Sequence, residues 1–391
     1  MPYPLANSTW DEEEYEALQT VIKSGMFTMG EKVSQFERAF ADYVGSKYCV
    51  MVNSGSSANL LMIAALRYRS TSPLLPGAEV IVPAVSWSTT YYPLHQYGLK
   101  LRFVDIDAQT LNFDLEQLSQ AITPDTKAIM AVNLLGNPND FARIKAIIGD
   151  RDIALIEDNC ESMGALYEGK QAGTFGLMGS FSSFFSHHIS TMEGGLVVTD
   201  DEELFHVMLS LRAHGWTRNL PKVNRVTTDK SDDPFTESFR FVLPGYNLRP
   251  LEMSGALGLA QLRKLPSIVQ ERRKNAEKFL ELMRRYPFLR VQREIGESSW
   301  FGFSLIVEPD SGVTRQSMLQ LLTEAQVDVR PIVAGNFAKN EVLKWFDYSI
   351  SGDLRNADTV DKSGFFIGNH HYPLEQEFEL LRSVFDRTNW K

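Results

Sequence analysis

The stretch Cys49-Val-Met-Val-Asn-Ser-Gly-Ser-Ser-Ala-Asn59 passes from an apolar run, through a glycine turn, into a segment with helical spacing of apolar residues. A continuous apolar run suits a strand that is buried on both faces. The turn presents backbone N–H groups and hydroxyls at the start of a helix, where the helix dipole favours an anion. A serine-rich helix cap accounts for the same residues, so this stretch alone leaves both interpretations open.

Similar apolar runs recur at 80–82, 101–104, 128–135 and 153–156, and the segments between them can hold helices or irregular crossovers. This alternation predicts an α/β fold with a mostly parallel sheet. Two helices precede the first strand. Thr9 and Glu12 predict a capping box for the first helix, which Gly25 should end, and Gly45 should end the second.

The second half of the chain has a different pattern of residues from the alternating apolar runs of the first half. Residues 217–244 are polar and proline-containing, which predicts a long loop with one short strand at 239–243. Helices are then expected at 251–265 and 268–286, followed by strands at 300–307 and 327–332 around a helix at 314–325. We therefore predict a large domain at 1–248 and a smaller α+β domain at 249–391.

Composition limits the partners of the chain. Its 391 residues are 43% hydrophobic and 23% charged, with a formal net charge of -10. That charge argues against binding to nucleic acid or to an anionic membrane, so a phosphorylated ligand needs local donors. Two cysteines cannot ligate an iron–sulfur cluster alone and do not form a secreted disulfide framework. The N-terminus lacks a signal-peptide pattern, and we expect a cytoplasmic protein without a bound metal.

Two further strand ends carry candidate site residues. Asp158 follows the apolar run at 153–156, and a carboxylate there can pair with a protonated pyridine nitrogen. A helix-capping aspartate is the alternative. Trp87 follows the run at 80–82, where an aromatic side chain can stack on a planar ring, although a core tryptophan explains it equally simply.

The segment Ser180-Phe-Ser-Ser-Phe-Phe-Ser-His-His-Ile-Ser-Thr-Met-Glu-Gly-Gly195 completes the pattern. Ser182 and Ser183 supply hydroxyls ahead of His187 and His188. Adjacent histidines on a loop are usually only polar loop residues. An anion turn, a strand-end carboxylate, an aromatic side chain and this segment together nevertheless predict a site for pyridoxal phosphate.

The chain resembles the sugar-nucleotide aminotransferase family of fold-type-I pyridoxal-phosphate enzymes over nearly its full length. The matching motifs are Ser54-Gly-Ser56, Glu157-Asp-Asn159, Gly245-Tyr-Asn-Leu-Arg249 and Glu193-Gly-Gly195, with Met192 where the family has a glycine. The resemblance implies an aspartate-aminotransferase-like large domain with a mostly parallel sheet and a smaller α+β domain. It also implies a homodimer with composite active sites.

Where the family carries its Schiff-base lysine, this chain has His187, eight residues before Gly195. In this family that replacement is typical of 3-dehydratases. The resemblance implies non-covalent pyridoxal or pyridoxamine phosphate, glutamate as amine donor, and 3-dehydration of GDP-4-keto-6-deoxy-D-mannose. The products would be GDP-4-keto-3,6-dideoxy-D-mannose, 2-oxoglutarate and ammonia, in colitose and O-antigen synthesis. A related dehydratase class needs four cysteine ligands for an iron–sulfur centre, which two cysteines exclude.

The resemblance also implies a role for each site residue. His187 would transfer protons, because an ordinary histidine pKa near 6.5 allows it to take and give them at neutral pH. Residues implied for the cofactor are Gly55, Ser56, Ser57, Trp87, Asp158, Glu161, Ser182 and Asn247. Residues implied for glutamate are His214, Arg218 and Arg249, since arginines suit carboxylates. Residues implied for the sugar nucleotide are Gly25, Met26, Phe27, Thr28 and Asp328.

Two alternatives stay open. A sugar-nucleotide 4-aminotransferase shares the fold but should carry a lysine at position 187. A catalytically inactive, cofactor-binding partner protein could have lost that lysine by drift. Drift should also have eroded the other ligands, yet His214, Arg218, Asn247 and Arg249 are all present.

Overall fold

The computed structural model describes residues 2–388, whose strands form an eight-stranded sheet, a four-stranded sheet and two short hairpins. The α-helices are α1 (Glu12–Ser24), α2 (Glu31–Val44), α3 (Gly55–Tyr68), α4 (Ser88–Gln96), α5 (Leu115–Ala121), α6 (Phe141–Ile148), α7 (Glu202–Arg212), α8 (Pro234–Ser238), α9 (Glu252–Met283), α10 (Arg315–Glu324), α11 (Arg355–Ser363) and α12 (Glu375–Phe385). The strands are β1 (Tyr48–Val52), β2 (Glu79–Pro83), β3 (Lys100–Val104), β4 (Thr126–Val132), β5 (Ala154–Asp158), β6 (Leu166–Tyr167), β7 (Lys170–Gln171), β8 (Met178–Ser182), β9 (Gly195–Thr199), β10 (Val223–Asn224), β11 (Thr228–Asp229), β12 (Leu289–Val291), β13 (Gly302–Val307), β14 (Val329–Arg330), β15 (Tyr348–Ile350) and β16 (Gly364–Gly368). Short 3-10 helices lie at Leu134–Gly136, Phe337–Lys339 and Glu341–Trp345.

The large sheet has the order β1-β9-β8-β5-β4-β2-β3-β15. β9 is antiparallel to both of its neighbours, and the pairs from β8 to β15 are parallel. Strands such as β2 and β9 are buried along their whole length, as expected for a sheet covered by helices on both faces. The prediction of a mostly parallel α/β sheet is confirmed.

The parallel strands place their carboxyl ends at one edge of the large sheet. β1, β2, β4, β5 and β8 all end there, and the antiparallel β9 begins there. In open α/β sheets, ligands bind at this edge because the loops and helix N-termini converge on it. The fold therefore brings together segments that lie far apart in the sequence.

Apolar packing holds this arrangement in place. One cluster of fully buried side chains lies between the large sheet and α3, α4 and α7. A second cluster joins the C-terminal half of α9 to the four-stranded sheet β12-β13-β16-β14 and to α10 and α12. Within the described residues, no helix is both long enough and apolar enough to cross a membrane.

Three predicted boundaries are wrong. Asp11, and not Thr9, caps α1, through a capping box with Glu14, although α1 does end at Gly25. The run at 128–135 is a strand only as far as Val132, because the chain turns into a 3-10 helix at Leu134. The two helices predicted at 251–265 and 268–286 are one helix, α9, which continues through Pro266.

The region 217–244 also differs from its prediction. No strand forms at 239–243, where Phe241 makes an isolated bridge to Trp216, and the short helix α8 precedes it. Near the C-terminus, β15 returns to the edge of the large sheet beside β3. The division of the chain near residue 248 stays a prediction.

Glu252 joins α9 to α2. The residue before α2 is Gly30, which has no side chain to cap the helix. The buried Glu252 carboxylate instead accepts hydrogen bonds from the backbone N–H groups of Gly30 (2.7 Å), Lys32 (2.5 Å) and Val33 (3.3 Å). A carboxylate at this point satisfies unpaired donors and interacts favourably with the helix dipole.

Glu252→Ala should therefore destabilise the protein by about 2 kcal/mol, because charge-assisted hydrogen bonds to buried donors are lost. Urea unfolding measures this change, and amide hydrogen exchange at Lys32 and Val33 should become faster. Glu281→Ala is the control, since its ion pair with Arg284 is largely exposed and should contribute less than about 0.5 kcal/mol. Equal effects of the two substitutions would contradict the capping role of Glu252.

Candidate active site

A cavity of about 620 Å³ lies at the carboxyl edge of the large sheet, between that sheet and the four-stranded sheet. Its lining comes from both halves of the chain, and the surface that it presents is mostly apolar although many of the lining residues are polar. The lining residues are Ser54, Gly55, Ser56, Asn59, Ser86, Trp87, Thr89, Val132, Asn133, Leu134, Asp158, Cys160, Glu161, Ser182, Phe184, His187, Glu193, Phe301, Arg330, Pro331, Val333 and Phe366.

The cavity brings together most residues expected to hold the cofactor or transfer protons. These are Gly55, Ser56, Trp87, Asp158, Glu161, Ser182 and His187. Ser57 does not line the cavity, and its N–H donates to the Ser54 side chain that caps α3. The anion turn is thus a helix cap and a cavity wall at the same time, so the two alternatives for this stretch are compatible.

Asp158 lies at the end of β5 and is almost fully buried. Its Oδ2 accepts hydrogen bonds from Asn59 Nδ2 (2.8 Å) and Thr90 Oγ1 (2.7 Å), and Asn59 Oδ1 in turn accepts from Ser180 Oγ (2.6 Å). Its Oδ1 accepts from the backbone N–H of Cys160 (3.2 Å). The carboxylate is therefore fixed by α3 and α4 and can present a negative charge to a cationic group in the cavity.

The N-terminus of α3 forms the anion-binding end. Ser56 Oγ lies 2.9 Å from Thr89 Oγ1, so two hydroxyls of neighbouring helices meet there. A Cβ added at Gly55 would lie 2.7 Å from Ser182 Cβ and 2.9 Å from Cys160 Sγ. The close packing of Gly55 leaves the first N–H groups of α3 at the cavity wall, where they suit a phosphate.

The two adjacent histidines have different surroundings. His188 is fully buried away from the cavity, and its Nε2 lies 3.1 Å from the carbonyl oxygen of Ser299. His187 lines the cavity, with its ring centroid 5.0 Å from that of Phe301. Its Nδ1 is buried and has no hydrogen-bond partner among the described residues, which leaves Nε2 as the nitrogen available to a ligand.

Burial and the nearby Arg272 guanidinium lower the pKa of His187 to about 4. The neutral ring therefore dominates above that pH, and it can accept a proton at neutral pH. This corrects the expectation of an ordinary histidine pKa. Once protonated, such a ring is a stronger acid than an ordinary imidazolium and returns its proton readily.

Glu161 faces the same cavity and has no basic partner among residues 2–388. Burial, and to a smaller extent the charge of Asp158, raises its pKa to about 7, and the Leu135 N–H that donates to Oε2 (3.1 Å) opposes the shift. A carboxyl group in this state is a hydrogen-bond donor in its protonated form and an acceptor in its ionised form. It can therefore serve a ligand in either way near neutral pH.

Strained backbone surrounds the cavity. Leu135 (φ 53°), Met192 (φ 65°), Trp300 (φ 47°) and Val333 (φ 42°) are left-handed without being glycine, and each lies in or directly beside a lining segment. Left-handed conformations cost side-chain-bearing residues free energy and concentrate at functional sites. The strained Met192 occupies the position where the family pattern has glycine.

The residues expected to bind glutamate lie together but outside this cavity. The Arg218 guanidinium carbon lies 4.1 Å from the Trp216 ring centroid, and that of Arg249 lies 5.7 Å from it. His214 contacts the same ring at 5.0 Å, and Arg249 Nε donates to Asn247 Oδ1 (3.0 Å). Asn247 and these three side chains form one cationic cluster around an aromatic ring.

The residues expected to bind the sugar nucleotide are likewise outside the cavity lining of this chain. Gly25 ends α1, Met26 and Phe27 are about half exposed, and Thr28 bridges to Leu251. The exposed Asp328 accepts a long hydrogen bond (3.3 Å) from the N–H of Leu5. Their binding roles stay predictions.

Several residues of the site escaped the sequence analysis. Asn59 was within a quoted motif, but the hydrogen bonds that Asn59 and Thr90 donate to Asp158 depend on how α3 and α4 pack. Phe301 and Arg330 come from the four-stranded sheet, and sequence spacing gives no signal that they reach the large sheet. The available signal in the sequence for a role of Arg330 was its position directly before Pro331.

The mostly parallel α/β sheet and the cavity at its carboxyl edge agree with the fold-type-I class of aminotransferase-like enzymes that the resemblance implies. The sequence matches the DegT/DnrJ/EryC1/StrS aminotransferase family over residues 8–377, and the chain belongs to that family. It is 63% identical over 383 residues to GDP-4-keto-6-deoxy-D-mannose 3-dehydratase of Escherichia coli O55:H7 (strain CB9615 / EPEC), covering 98% of this chain and 99% of that protein.

Solved structures agree with this relationship. Two structures of GDP-4-keto-6-deoxymannose-3-dehydratase are each 62% identical, superpose with a TM-score of 0.97, and cover 98% of this chain and 100% of theirs. One is a histidine-to-asparagine variant with bound GDP-perosamine, and the other holds a trapped PLP-glutamate geminal diamine. A variant of the same enzyme with an adjacent serine and histidine replaced by asparagine and lysine has 62% identity and a TM-score of 0.96, covering 97% and 100%. The predicted family and fold class are confirmed.

The different surroundings of His187 and His188 predict that their substitutions differ in their effect on the stability of the protein. His188→Asn should destabilise the protein by about 1–3 kcal/mol, because the buried carbonyl of Ser299 loses its partner. His187→Asn should change stability much less, since the ring faces a cavity. Thermal unfolding of both purified variants measures the difference, and the reverse order would mean that His187 is the structural residue of the pair.

Proposed function

We propose that this chain is a pyridoxal-phosphate- and glutamate-dependent 3-dehydratase acting on GDP-4-keto-6-deoxy-D-mannose. The observation that carries the proposal is the 63% identity to an enzyme of that name along the whole chain, combined with a histidine at the cavity position expected for lysine. The products would be GDP-4-keto-3,6-dideoxy-D-mannose, 2-oxoglutarate and ammonia. The oxygen lost from the sugar equals the oxygen gained by the carbon skeleton of glutamate, so this reaction balances.

The residues present fit pyridoxal phosphate. The N-terminus of α3, with Ser56 and Thr89, would hold the phosphate, and Asp158 would pair with the ring nitrogen. Trp87 is more than half exposed at the cavity wall and would contact the ring. When bound, the cofactor supplies an electron sink for the bond-breaking steps. None of the described lining residues is a lysine, which supports non-covalent binding.

His187 is the residue to which we assign proton transfer. In a related structure, the substituted residues are an adjacent serine and histidine. Ser186-His187 is the one serine–histidine pair in this sequence. A neutral Nε2 facing the cavity can accept a proton, and the protonated ring can release it to a leaving hydroxyl. A histidine cannot form the imine by which a lysine would hold the cofactor, so this site favours dehydration over amine transfer.

The alternatives fit less well. A 4-aminotransferase requires the missing lysine. An inactive, cofactor-binding partner protein would keep Asp158 for the cofactor, but it would not need the residues implied for glutamate, His214, Arg218 and Arg249, all of which are present. We expect the enzyme in the cytoplasm, consistent with its two free cysteines.

A homodimer would complete the site. Asn247 is exposed, and the cluster around Trp216 lies outside the cavity lining of its own chain. Half-exposed Met26 and Phe27 lie next to Leu251, which is also about half exposed, because Thr28 bridges to it. An apolar patch beside a cationic cluster suits an interface that delivers Asn247, His214, Arg218 and Arg249 to the cavity of a partner.

The reaction should show a fixed stoichiometry. Purified protein with pyridoxal phosphate, glutamate and GDP-4-keto-6-deoxymannose should give equal amounts of deoxysugar, 2-oxoglutarate and ammonia by mass spectrometry and enzymatic assay. His187→Asn should bind the cofactor but lower turnover by about 10²–10⁴-fold. His188→Asn should retain substantial activity. An aminosugar formed without ammonia would identify an aminotransferase and refute the dehydratase proposal.

The composite site can be tested by complementation. Asn247→Asp places a negative charge where we expect the cofactor phosphate of the partner's site, so this variant and His187→Asn should each be inactive. After subunit exchange, each heterodimer should contain one intact site and one site with both lesions. Activity should return toward about half of the wild-type value per heterodimer. Exchange verified by mass spectrometry without recovered activity would place Asn247 in its own chain's site.

A further inference from the structure

Arg272 of α9 is a buried cation without a carboxylate partner. Among residues 2–388 it makes no ion pair, although its side chain is almost completely removed from solvent. Burial lowers the pKa of its guanidinium to about 10, which still leaves it charged at neutral pH. A charge buried without a carboxylate partner is costly, and perturbed charges of this kind concentrate at functional sites.

The guanidinium binds the segment that forms one wall of the cavity. Its Nη1 donates to the carbonyl oxygens of Phe301 (2.9 Å) and Trp300 (3.4 Å). Asn369 Nδ2 joins this contact by donating to the carbonyl oxygens of Arg272 (3.0 Å) and Trp300 (2.9 Å). The N–H of Phe301 donates in turn to the carbonyl oxygen of Leu135 (3.1 Å), which belongs to the large sheet's side of the cavity. Both backbone polar groups of Phe301 are therefore fixed by hydrogen bonds.

The backbone that Arg272 holds is strained. Trp300 (φ 47°) and Leu135 (φ 53°) are both left-handed. A Cβ added at Gly136 would lie 2.4 Å from the Trp300 nitrogen, so the two segments are in close contact. Strained residues of this kind persist only where the surrounding structure determines their conformation. Loss of the Arg272 hydrogen bonds would release this segment, and with it the side chain of Phe301.

The Phe301 side chain carries this constraint to the residue assigned to proton transfer. Its ring centroid lies 5.0 Å from that of His187 and 5.8 Å from that of His188. We propose that Arg272 is a positioning residue for proton transfer, which fixes the His187 ring through Phe301 and repels a second positive charge there. The inference rests on the proposed function, in which His187 moves the proton.

The charges around His187 determine the direction of the effect. Burial is the larger cause of its lowered pKa, and the charge of Arg272 adds to it. Removal of that charge should therefore raise the pKa of His187, which burial still keeps below the ordinary value near 6.5. Other titratable groups that face the cavity or the two histidines are His188 itself, Asp158, Cys160, Glu161, Glu193 and Arg330 of the cavity lining, and Arg273 of α9.

The ionisation of His187 measures this role without turnover. In the pyridoxal-phosphate-loaded protein with isotope-labelled histidine, the NMR signal of His187 is assigned by its loss in His187→Asn. It should titrate at higher pH in Arg272→Met than in wild type, and near the wild-type pH in Arg272→Lys, which retains the charge. Arg273→Met is the matched control and should leave the titration unchanged, because Arg273 donates to the carbonyl oxygen of Ser298 (2.9 Å) and not to that of Phe301.

Conversion of glutamate tests the positioning of the ring. Without sugar nucleotide, glutamate should convert the bound aldehyde cofactor to its amine form about 10–100-fold more slowly in Arg272→Met, followed by absorbance at saturating glutamate. The KM for glutamate should change little, and Arg272→Lys should recover part of the rate. An unchanged His187 titration in folded Arg272→Met, or an equal loss of rate in Arg273→Met, would overturn the proposal.

Phe301→Leu keeps the test decisive if Arg272→Met does not fold. This substitution removes the ring but retains the carbonyl that Arg272 binds, and it should slow the same conversion about tenfold. A wild-type rate in Phe301→Leu would also overturn the proposal. A wild type that converts glutamate but yields no deoxysugar would refute the dehydratase function, while the titration of His187 would still test the role of Arg272.

Discussion

The hydrogen bonds to Asp158 are the constraint on which the site depends. The carboxylate closes β5, and two helices that follow other strands reach it, α3 through Asn59 and α4 through Thr90. Asn59 also accepts from Ser180 in β8. Because four segments separated by up to about 120 residues meet at one buried charge, moving any one of them leaves a charged or polar group unsatisfied, which costs more than the bonds contribute when made.

The sequence was sufficient to predict strands and site residues where an apolar run is followed directly by side chains of suitable chemistry. The buried strands β1, β2 and β5 were predicted from continuous apolar runs, and their ends located Ser56, Trp87 and Asp158. β8 and β9 were missed because Met178–Ser182 alternates with glycine and serine, and β9 begins at a glycine. Two helices were predicted at 251–265 and 268–286, yet α9 continues through Pro266, where packing against α1 and α2 outweighs the backbone hydrogen bond that proline cannot donate.

Tertiary contacts determine which of the two histidines faces the cavity, and the spacing of residues in the sequence could not predict this. His187 and His188 are chemically identical in the sequence, and only the position of the 299–301 segment separates them. The carbonyl oxygen of Ser299 pairs with Nε2 of His188 in the interior, while the Phe301 ring lies against the ring of His187 at the cavity. The same segment accepts from Arg272, whose Nη1 donates to the carbonyl of Phe301 (2.9 Å). Arg272, which together with burial lowers the pKa values of both histidines, thus also holds Phe301, the residue that positions them.

A histidine without an acidic partner is better suited to transferring a proton than to retaining one. In a site with an orienting carboxylate, the imidazolium is stabilised and its pKa rises. Here Nδ1 of His187 has no acceptor among the described residues, and burial and Arg272 both oppose the charged form. A proton accepted by His187 is consequently held against a free-energy penalty, so the ring gives it up more readily than an imidazolium in water does. His187 therefore places a weakly basic proton acceptor at the cavity wall, at the position where the family pattern has lysine.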